Sequence, residues 1–308
     1  MAEASKDLLL KLYIPFCQRQ CGHCRLTVCG YDAPTLRAYG EAMLAELKAV
    51  AAEEAEGRVV TAVSIEGGCP GLMPSELLQS LLREVKKGFT LAEDVQIGIQ
   101  TMPGDYSQTF IRRLRDNGVN FWSVGLATAN LDEHNLLERP YRFDALTMVD
   151  TAIRTFEMRD LSFHLLYGIP GQTALSWERT LDKALAYSPE HLTLEPVGIG
   201  PGTRLYEKVK AGKLTPPSSE ATAELYLLAK EKLEGLGYRP YTVHDFALPG
   251  HENRYKLGLL AGTDRLGIGY LADSCLDGLF YTNGHSLCEY MAHPTELEVI
   301  ANQITRVE

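Results

Sequence analysis

The sequence predicts an α/β fold, an open (β/α)6 partial barrel followed by a small C-terminal α+β accessory region. Two observations carry this. Apolar, β-branched-rich runs alternate with helical patterns over the first two-thirds of the chain, and the alternation stops after Pro201. Strands separated by amphipathic helices imply βαβ units and a parallel sheet, and six such strands are too few to close an eight-stranded barrel.

The six strands are read at Leu8–Ile14, Val59–Ile65, Val95–Gln100, Val119–Gly125, Leu161–Tyr167 and His191–Pro196. Helices are expected over Pro34–Glu56, Ser75–Lys87, Asp105–Asn117, Asp144–Met158 and Ala174–Tyr187. Pro34 sits where a first-turn proline belongs, with Asp32 placed to cap that helix. The Pro216–Pro217 break sets the boundary, giving residues 1–215 for the barrel and 216–308 for the accessory region. The latter should hold a helix over Ser218–Leu236, short strands around Tyr238–Phe246 and Asp264–Tyr270, and a final helix from about Thr295. Tyr281 and Asn283 read as a turn.

The chain has 308 residues, 45% hydrophobic and 23% charged, an ordinary globular mixture. No apolar run is long enough to span a bilayer, and MAEASKDLLLKLYIPF reads as a first strand rather than a signal peptide. A formal charge of −10 with no basic run argues against a nucleic-acid partner. Seven cysteines, three of them within eight residues, suggest a reducing cytoplasmic setting and a metal site rather than disulfides.

The chemistry concentrates at Cys17-Gln-Arg-Gln-Cys21-Gly-His-Cys24, directly after the first strand. Three thiolates at these spacings can ligate three irons of a [4Fe–4S] cluster and leave the fourth iron open to the amino and carboxylate groups of S-adenosylmethionine (SAM). The alternative is a structural zinc knuckle with Cys29 or His23 as fourth ligand, although the second ligand pair usual in such sites is lacking. After the second strand, Ser64-Ile-Glu-Gly-Gly-Cys-Pro70 places Gly67 and Gly68 where backbone can approach a ligand closely. After the fifth, Leu165-Leu-Tyr-Gly-Ile-Pro-Gly-Gln-Thr173 places Gly168, Ile169 and Gly171 where a loop can line an adenine pocket or merely turn the chain. Cys69 reads as a small buried thiol, and Cys29, Cys275 and Cys288 as inert ones.

With GVNFWSVGL (118–126), LLERPYRF (136–143), PEHLTLEPVGIGPGTRLYEKVKAGKL (189–214), GYRPYTVHDFALPGHENRY (237–255) and LGIGYLADS (266–274), these segments resemble the oxygen-independent coproporphyrinogen III oxidase family. That HemN-like family includes the HemW-type heme chaperones. The resemblance implies a radical SAM partial barrel and oxidoreductase-like chemistry begun by a 5′-deoxyadenosyl radical. It further implies a small-molecule substrate and an electron donor such as flavodoxin or ferredoxin. It makes Arg139 a contact of the SAM carboxylate and puts His23 in place of an aromatic that packs on adenine.

The departures from the family pattern bear on function. Gln100 stands where the family usually has Glu, Ala127 where it has Gln, and His164 where it has Asp, all positions expected to face SAM. Cys69 replaces the usual Thr of Gly-Gly-Thr-Pro. The long N-terminal extension of coproporphyrinogen oxidases has only a short counterpart here. Tyr255-Lys-Leu-Gly-Leu-Leu260 stands where HemW-like proteins carry a His-Asn-x-x-Tyr-Trp heme motif, so the heme-ligand His is replaced by Tyr255. The neighbouring His244 and His251 are expected to be surface or satisfied residues.

Overall fold

The computed structural model describes residues 6–104, 107–140, 143, 154–155, 160–283, 286–296 and 299–301. The chain runs β1 (Lys6–Ile14), α1 (Ala33–Glu54), β2 (Arg58–Gly67), α2 (Ser75–Gly88), β3 (Thr90–Thr101), α3 (Gln108–Asp116), β4 (Phe121–Ala127), α4 (Leu131–Leu136), β5 (Asp160–Tyr167), α5 (Ala174–Leu185) and β6 (His191–Pro196). All six expected strands are present, side by side in chain order, and each neighbouring pair is parallel. The helix expected over Asp144–Met158 falls, except for the helical Arg154 and Thr155, outside the described residues.

Local chemistry fixes the helix starts. Asp32 caps α1 by accepting the Thr35 N–H at 2.8 Å, as its position before Pro34 predicts. Helix α3 begins later than expected because Ser107 caps it, accepting the Phe110 N–H at 3.2 Å. Thr173 and Ser176 form a reciprocal capping box at α5.

Beyond β6 come α6 (Arg204–Lys210), α7 (Ser219–Gly235), β7 (Arg239–Pro240), β8 (Asp245–Ala247), α8 (Arg254–Ala261), β9 (Asp264–Ile268), β10 (Asp273–Leu276), β11 (Leu279–Asn283), α9 (Leu287–Ala292) and β12 (Val299–Ala301). These later strands extend both edges of the same sheet. Strand β8 runs antiparallel to β6 with β7 outside it, while β9 lies parallel to β1 and carries β10, β11 and β12. The order is β12-β11-β10-β9-β1-β2-β3-β4-β5-β6-β8-β7, with no hydrogen bonding among the described residues that closes it into a barrel.

Two expectations are corrected here. The final helix placed at about Thr295 gives way, at Val299–Ala301, to a strand paired with β11, as the β-branched Val299 and Ile300 favour. Tyr281 and Asn283 belong to β11 rather than to a turn. The Asn283 amide donates to Glu46 Oε1 (2.5 Å) and to the Gly267 carbonyl (3.1 Å), both buried. Glu46, on α1, also accepts from the Tyr290 hydroxyl (2.6 Å) and the Gly269 N–H (2.8 Å). One buried carboxyl therefore ties α1 to the β9–β11 edge and to α9. Burial pushes it up to about 8, against the pull of those donors.

The two faces of the parallel strands differ in chemistry. Val63 and Ile65, Trp122 and Val124, Phe163 and Leu165, and Leu192 and Leu194 join the main hydrophobic core. The alternate residues Ser64 and Glu66, Gln100, Ser123, Ser162 and His164, and Thr193 and Glu195 line a polar hollow. Period-two alternation thus builds an apolar outer face and a hydrogen-bonding inner one.

Candidate active site

The cysteine loop leaves β1 at Ile14 and is held at several points. Gly22 donates to the Leu137 carbonyl (2.7 Å) and accepts from the Leu205 N–H (2.8 Å), which joins the loop to the end of α4 and the start of α6. Glu138, itself at positive φ, accepts from Arg204 (2.7 Å), Lys208 (2.6 Å) and Arg19 (3.3 Å). The Lys208 and Arg204 cations hold the Glu138 carboxyl down at about 2. The Gln20 side-chain amide donates to the Cys24 and Leu26 carbonyls, closing the loop on itself.

The end of β2 lies directly against this loop. The Gly68 N–H donates to the Ile14 carbonyl (2.7 Å) and the Cys69 N–H to the Phe16 carbonyl (2.6 Å). Gly67 sits at φ +123°, and a β-carbon there would lie 2.5 Å from the Ile14 oxygen. A β-carbon at Gly68 would collide with the Phe16 oxygen and come within 2.9 Å of Cys17 Sγ. Glycine is needed at both positions so that backbone can sit beside the thiols.

Around these groups opens a cavity of about 320 Å³, lined among others by Cys17, Cys21, Cys24, His23, Gly67, Gly68, Gln100, Ala127, Arg139 and His164. That volume lies within the range of small-molecule sites. The sequence-predicted residues therefore converge, with three exceptions. Gly168, Ile169 and Gly171 are not among the lining residues, because the loop folds on its own side chain. The Gly168 N–H (2.7 Å) and the Ile169 N–H (3.4 Å) both donate to Gln172 Oε1, and Ile169 is buried with Leu137, Leu166 and Leu205. The sequence reading passed over Met102, Leu166 and Glu195, which also line the cavity.

The electrostatics favour a polar guest. Arg139 Nη2 donates to the Gly125 carbonyl (2.7 Å) and contacts Met102 Sδ (3.2 Å), while its Nε is buried with no hydrogen-bond partner among the described residues. His23 Nδ1 is likewise buried and unpartnered. Burial, reinforced by Arg139 and His164, pushes His23 down to about 4, so its ring is neutral at physiological pH. A hydrogen bond with Cys69 and burial push the Cys17 thiol far up, and burial raises Cys21 despite Arg139. Metal binding would release these protons.

Deeper in the sheet a second hollow of about 170 Å³ adjoins the first, with Gln100, His164 and Glu195 lining both. His164 Nε2 lies 3.0 Å from Glu195 Oε2. The other charges on its wall are also paired. Glu66 meets Lys11 at 2.9 Å, and Lys256 meets Asp245 at 2.5 Å. His191 bridges Ser162 (2.8 Å) and the Tyr241 hydroxyl (2.7 Å).

The donor set fits a [4Fe–4S] cluster with SAM. Three thiols on one short loop, two glycines against it and three buried nitrogens with no hydrogen-bond partner among the described residues (His23 Nδ1, Arg139 Nε and His164 Nε2) share one cavity. Among the described residues no three His, Cys, Asp or Glu side chains converge on a single-ion site, and a cubane that gives each thiolate its own iron requires no such convergence.

Residues 12–184 match the model of the Radical SAM superfamily, and the chain belongs to that superfamily. Within it the chain is HemN/HemW-like. It is 29% identical over 270 residues to the heme chaperone HemW of Synechocystis sp., covering 87% of this chain and 66% of that one. It is 27% identical over 272 residues to the heme chaperone HemW of Bacillus subtilis, covering 87% and 70%. A third relative, the mitochondrial radical S-adenosyl methionine domain-containing protein 1 of Danio rerio, is 25% identical over 261 residues, covering 84% and 58%. The chain thus spans roughly three-fifths to seven-tenths of these relatives' lengths. The solved coproporphyrinogen III oxidase (HemN) of Escherichia coli shares the fold, with a TM-score of 0.83 at 23% identity over 98% of this chain and 73% of that one.

The residues outside the site behave as small structural groups. His251 Nδ1 is 2.5 Å from Asp160 and His244 Nδ1 is 3.1 Å from the Leu194 carbonyl, so both are satisfied as expected. Tyr255, on α8, is buried against Leu9 of β1 and Ala62 of β2.

Proposed function

We propose that Cys17, Cys21 and Cys24 hold a [4Fe–4S] cluster, that SAM occupies the adjoining cavity, and that the chain acts as a radical SAM enzyme on a small polar substrate in the deeper hollow. The observation that carries this reading is the convergence of the cysteine loop, Gly67–Gly68, Arg139 and His23 on one cavity. Gly67 and Gly68 would offer backbone to the methionine ammonium, and Arg139 would meet its carboxylate through a guanidinium fork. His23 would present a neutral ring to the adenine, and Gln100 and His164 would hydrogen-bond polar groups between the two hollows. A cluster held by Cys17, Cys21 and Cys24 would supply one-electron reduction of the SAM beside it. Residues 1–215 would carry this cofactor site and 216–308 would complete the sheet edges. The Gly168–Gly171 loop would act only indirectly, by packing behind the cavity.

The deeper hollow supports a compact, uncharged substrate. Its 170 Å³ corresponds to roughly six water volumes, and Glu66 and Lys256 on its wall each meet an opposite charge of the protein. A coproporphyrinogen, with its four carboxylates, suits neither its size nor its charge. The names of the HemW relatives favour a second reading, tetrapyrrole binding with no enzymatic turnover. Against it stands the buried Tyr255 where the heme-ligand His would be.

Anaerobic reconstitution with iron and sulfide, followed by a chemical reductant and SAM, tests the proposal. The expected result is about four irons per chain and release of 5′-deoxyadenosine, both lost in a Cys17/Cys21/Cys24→Ala variant. Stoichiometric zinc without iron would overturn the cluster. Iron and SAM binding without 5′-deoxyadenosine would overturn the enzymatic part and leave a member that does not cleave SAM.

A further inference from the structure

We propose that Cys17 and Cys69 form a disulfide when the protein meets an oxidant without its cluster, and that this crosslink blocks cluster assembly until it is reduced. The two sulfurs stand 3.4 Å apart. Backbone hydrogen bonds hold them there, from Cys69 N–H to the Phe16 carbonyl and from Gly68 N–H to the Ile14 carbonyl, and Gly68 leaves the space for that approach. A disulfide needs its sulfurs about 2.0 Å apart. The pair would have to close by about 1.4 Å.

Access is unequal. Both sulfurs belong to residues that line the open cavity, but Cys69 is only 2% exposed whereas Cys17 is half-buried and offers more surface. Hydrogen peroxide therefore meets Cys17 first. The Cys17 sulfur attacks one peroxide oxygen, the O–O bond breaks, and water leaves as a sulfenic acid forms. The Cys69 sulfur then displaces that oxygen as a second water, and the S–S bond forms. Two thiols lose two protons and two electrons, and one peroxide becomes two waters.

The crosslink takes one of the three proposed cluster ligands out of use. The crosslink rests on geometry alone, while its effect on assembly rests on the cluster reading.

The test uses the full chain, stripped of iron by a chelator under anaerobic conditions and then treated with hydrogen peroxide. The intact mass should fall by two hydrogens, and a non-reducing peptide map should join the Cys17 and Cys69 peptides. The oxidised protein should take up no iron until a dithiol is added, judged by iron content and visible absorbance. Cys69→Thr and Cys69→Ser should show no such crosslink, and their Cys17 should instead gain oxygen by intact mass under the same treatment. All seven cysteines remaining alkylatable, or a crosslink from Cys17 to Cys21 or Cys24 instead, would overturn the proposal. So would a Cys17–Cys69 crosslink that leaves iron uptake unchanged.

Discussion

His164 Nε2 meets Glu195 Oε2 at 3.0 Å on the wall shared by the cofactor cavity and the polar hollow. His164 is the chief cause that holds the Glu195 carboxyl down at about 2, with burial opposing. A carboxyl lowered on folding stabilises the protein above its ordinary range, and that stabilisation is lost as pH falls from about 4.5 towards about 2. Because Glu195 is half exposed, the contribution is about 0–1 kcal/mol. His164→Ala should therefore be less stable than wild type at mildly acidic pH, and the gap in urea midpoints should narrow as acid is added through that window. A constant gap would show that the contact is not ionic.

This pair also shows what was hard to read in the sequence. Its residues lie on different strands, and only the parallel register brings Gly125 opposite His164 and Leu166 opposite Glu195. The cysteine loop was legible because its ligands are close in sequence, and the strands because apolar alternation is local. The polar inner face is present in the same alternation, in SIEG, SFHL and HLTLEP, and the sequence points to Gln100 and His164 on it but not to Glu66, Thr193 or Glu195. The Gly168–Gly171 segment reads equally as an adenine-pocket loop or a plain turn, because a glycine-rich loop after a strand is compatible with either role. Gln172, which accepts its N–H groups, is the contact that the loop composition alone does not reveal.

Glu46 sets a second pH dependence, of opposite sign. Its carboxyl is raised to about 8 on folding, from an ordinary value near 4.5. The folded state therefore holds a proton that the unfolded chain releases, and stability should fall as pH rises between those two values. Glu46→Gln, which cannot ionise, should flatten that slope in urea titrations. A slope equal to wild type would mean that Glu46 is already ionised in the fold.

Tyr255 gives a test of the tetrapyrrole reading that is also a test of packing. Its hydroxyl is buried without a hydrogen-bond partner among the described residues. Removing an unsatisfied buried hydroxyl removes a desolvation cost, so Tyr255→Phe should leave stability unchanged or raise it by up to about 1 kcal/mol. A hemin titration should not distinguish the variant from wild type. Loss of a tight one-to-one hemin response in the variant would instead restore the heme-binding reading.

The cavity predicts an order of effects on SAM affinity, with Arg139 ahead of Gln100. Arg139 is held by the Gly125 carbonyl and Met102, so its guanidinium is already oriented, and its buried Nε has no other partner to satisfy. A charge-assisted contact from such a group contributes about 1.5–3 kcal/mol, which makes Arg139→Ala about 10- to 150-fold weaker in binding. Gln100 can offer only a neutral amide, so its loss should cost about 0.5–1.5 kcal/mol, or about 2- to 12-fold. Arg139→Lys should fall between the two, because it keeps the charge and loses the fork. Calorimetry on reconstituted proteins with equal iron content separates these effects from loss of the cluster. A Gln100→Ala defect larger than that of Arg139→Ala, at equal iron, would place the SAM carboxylate away from the guanidinium.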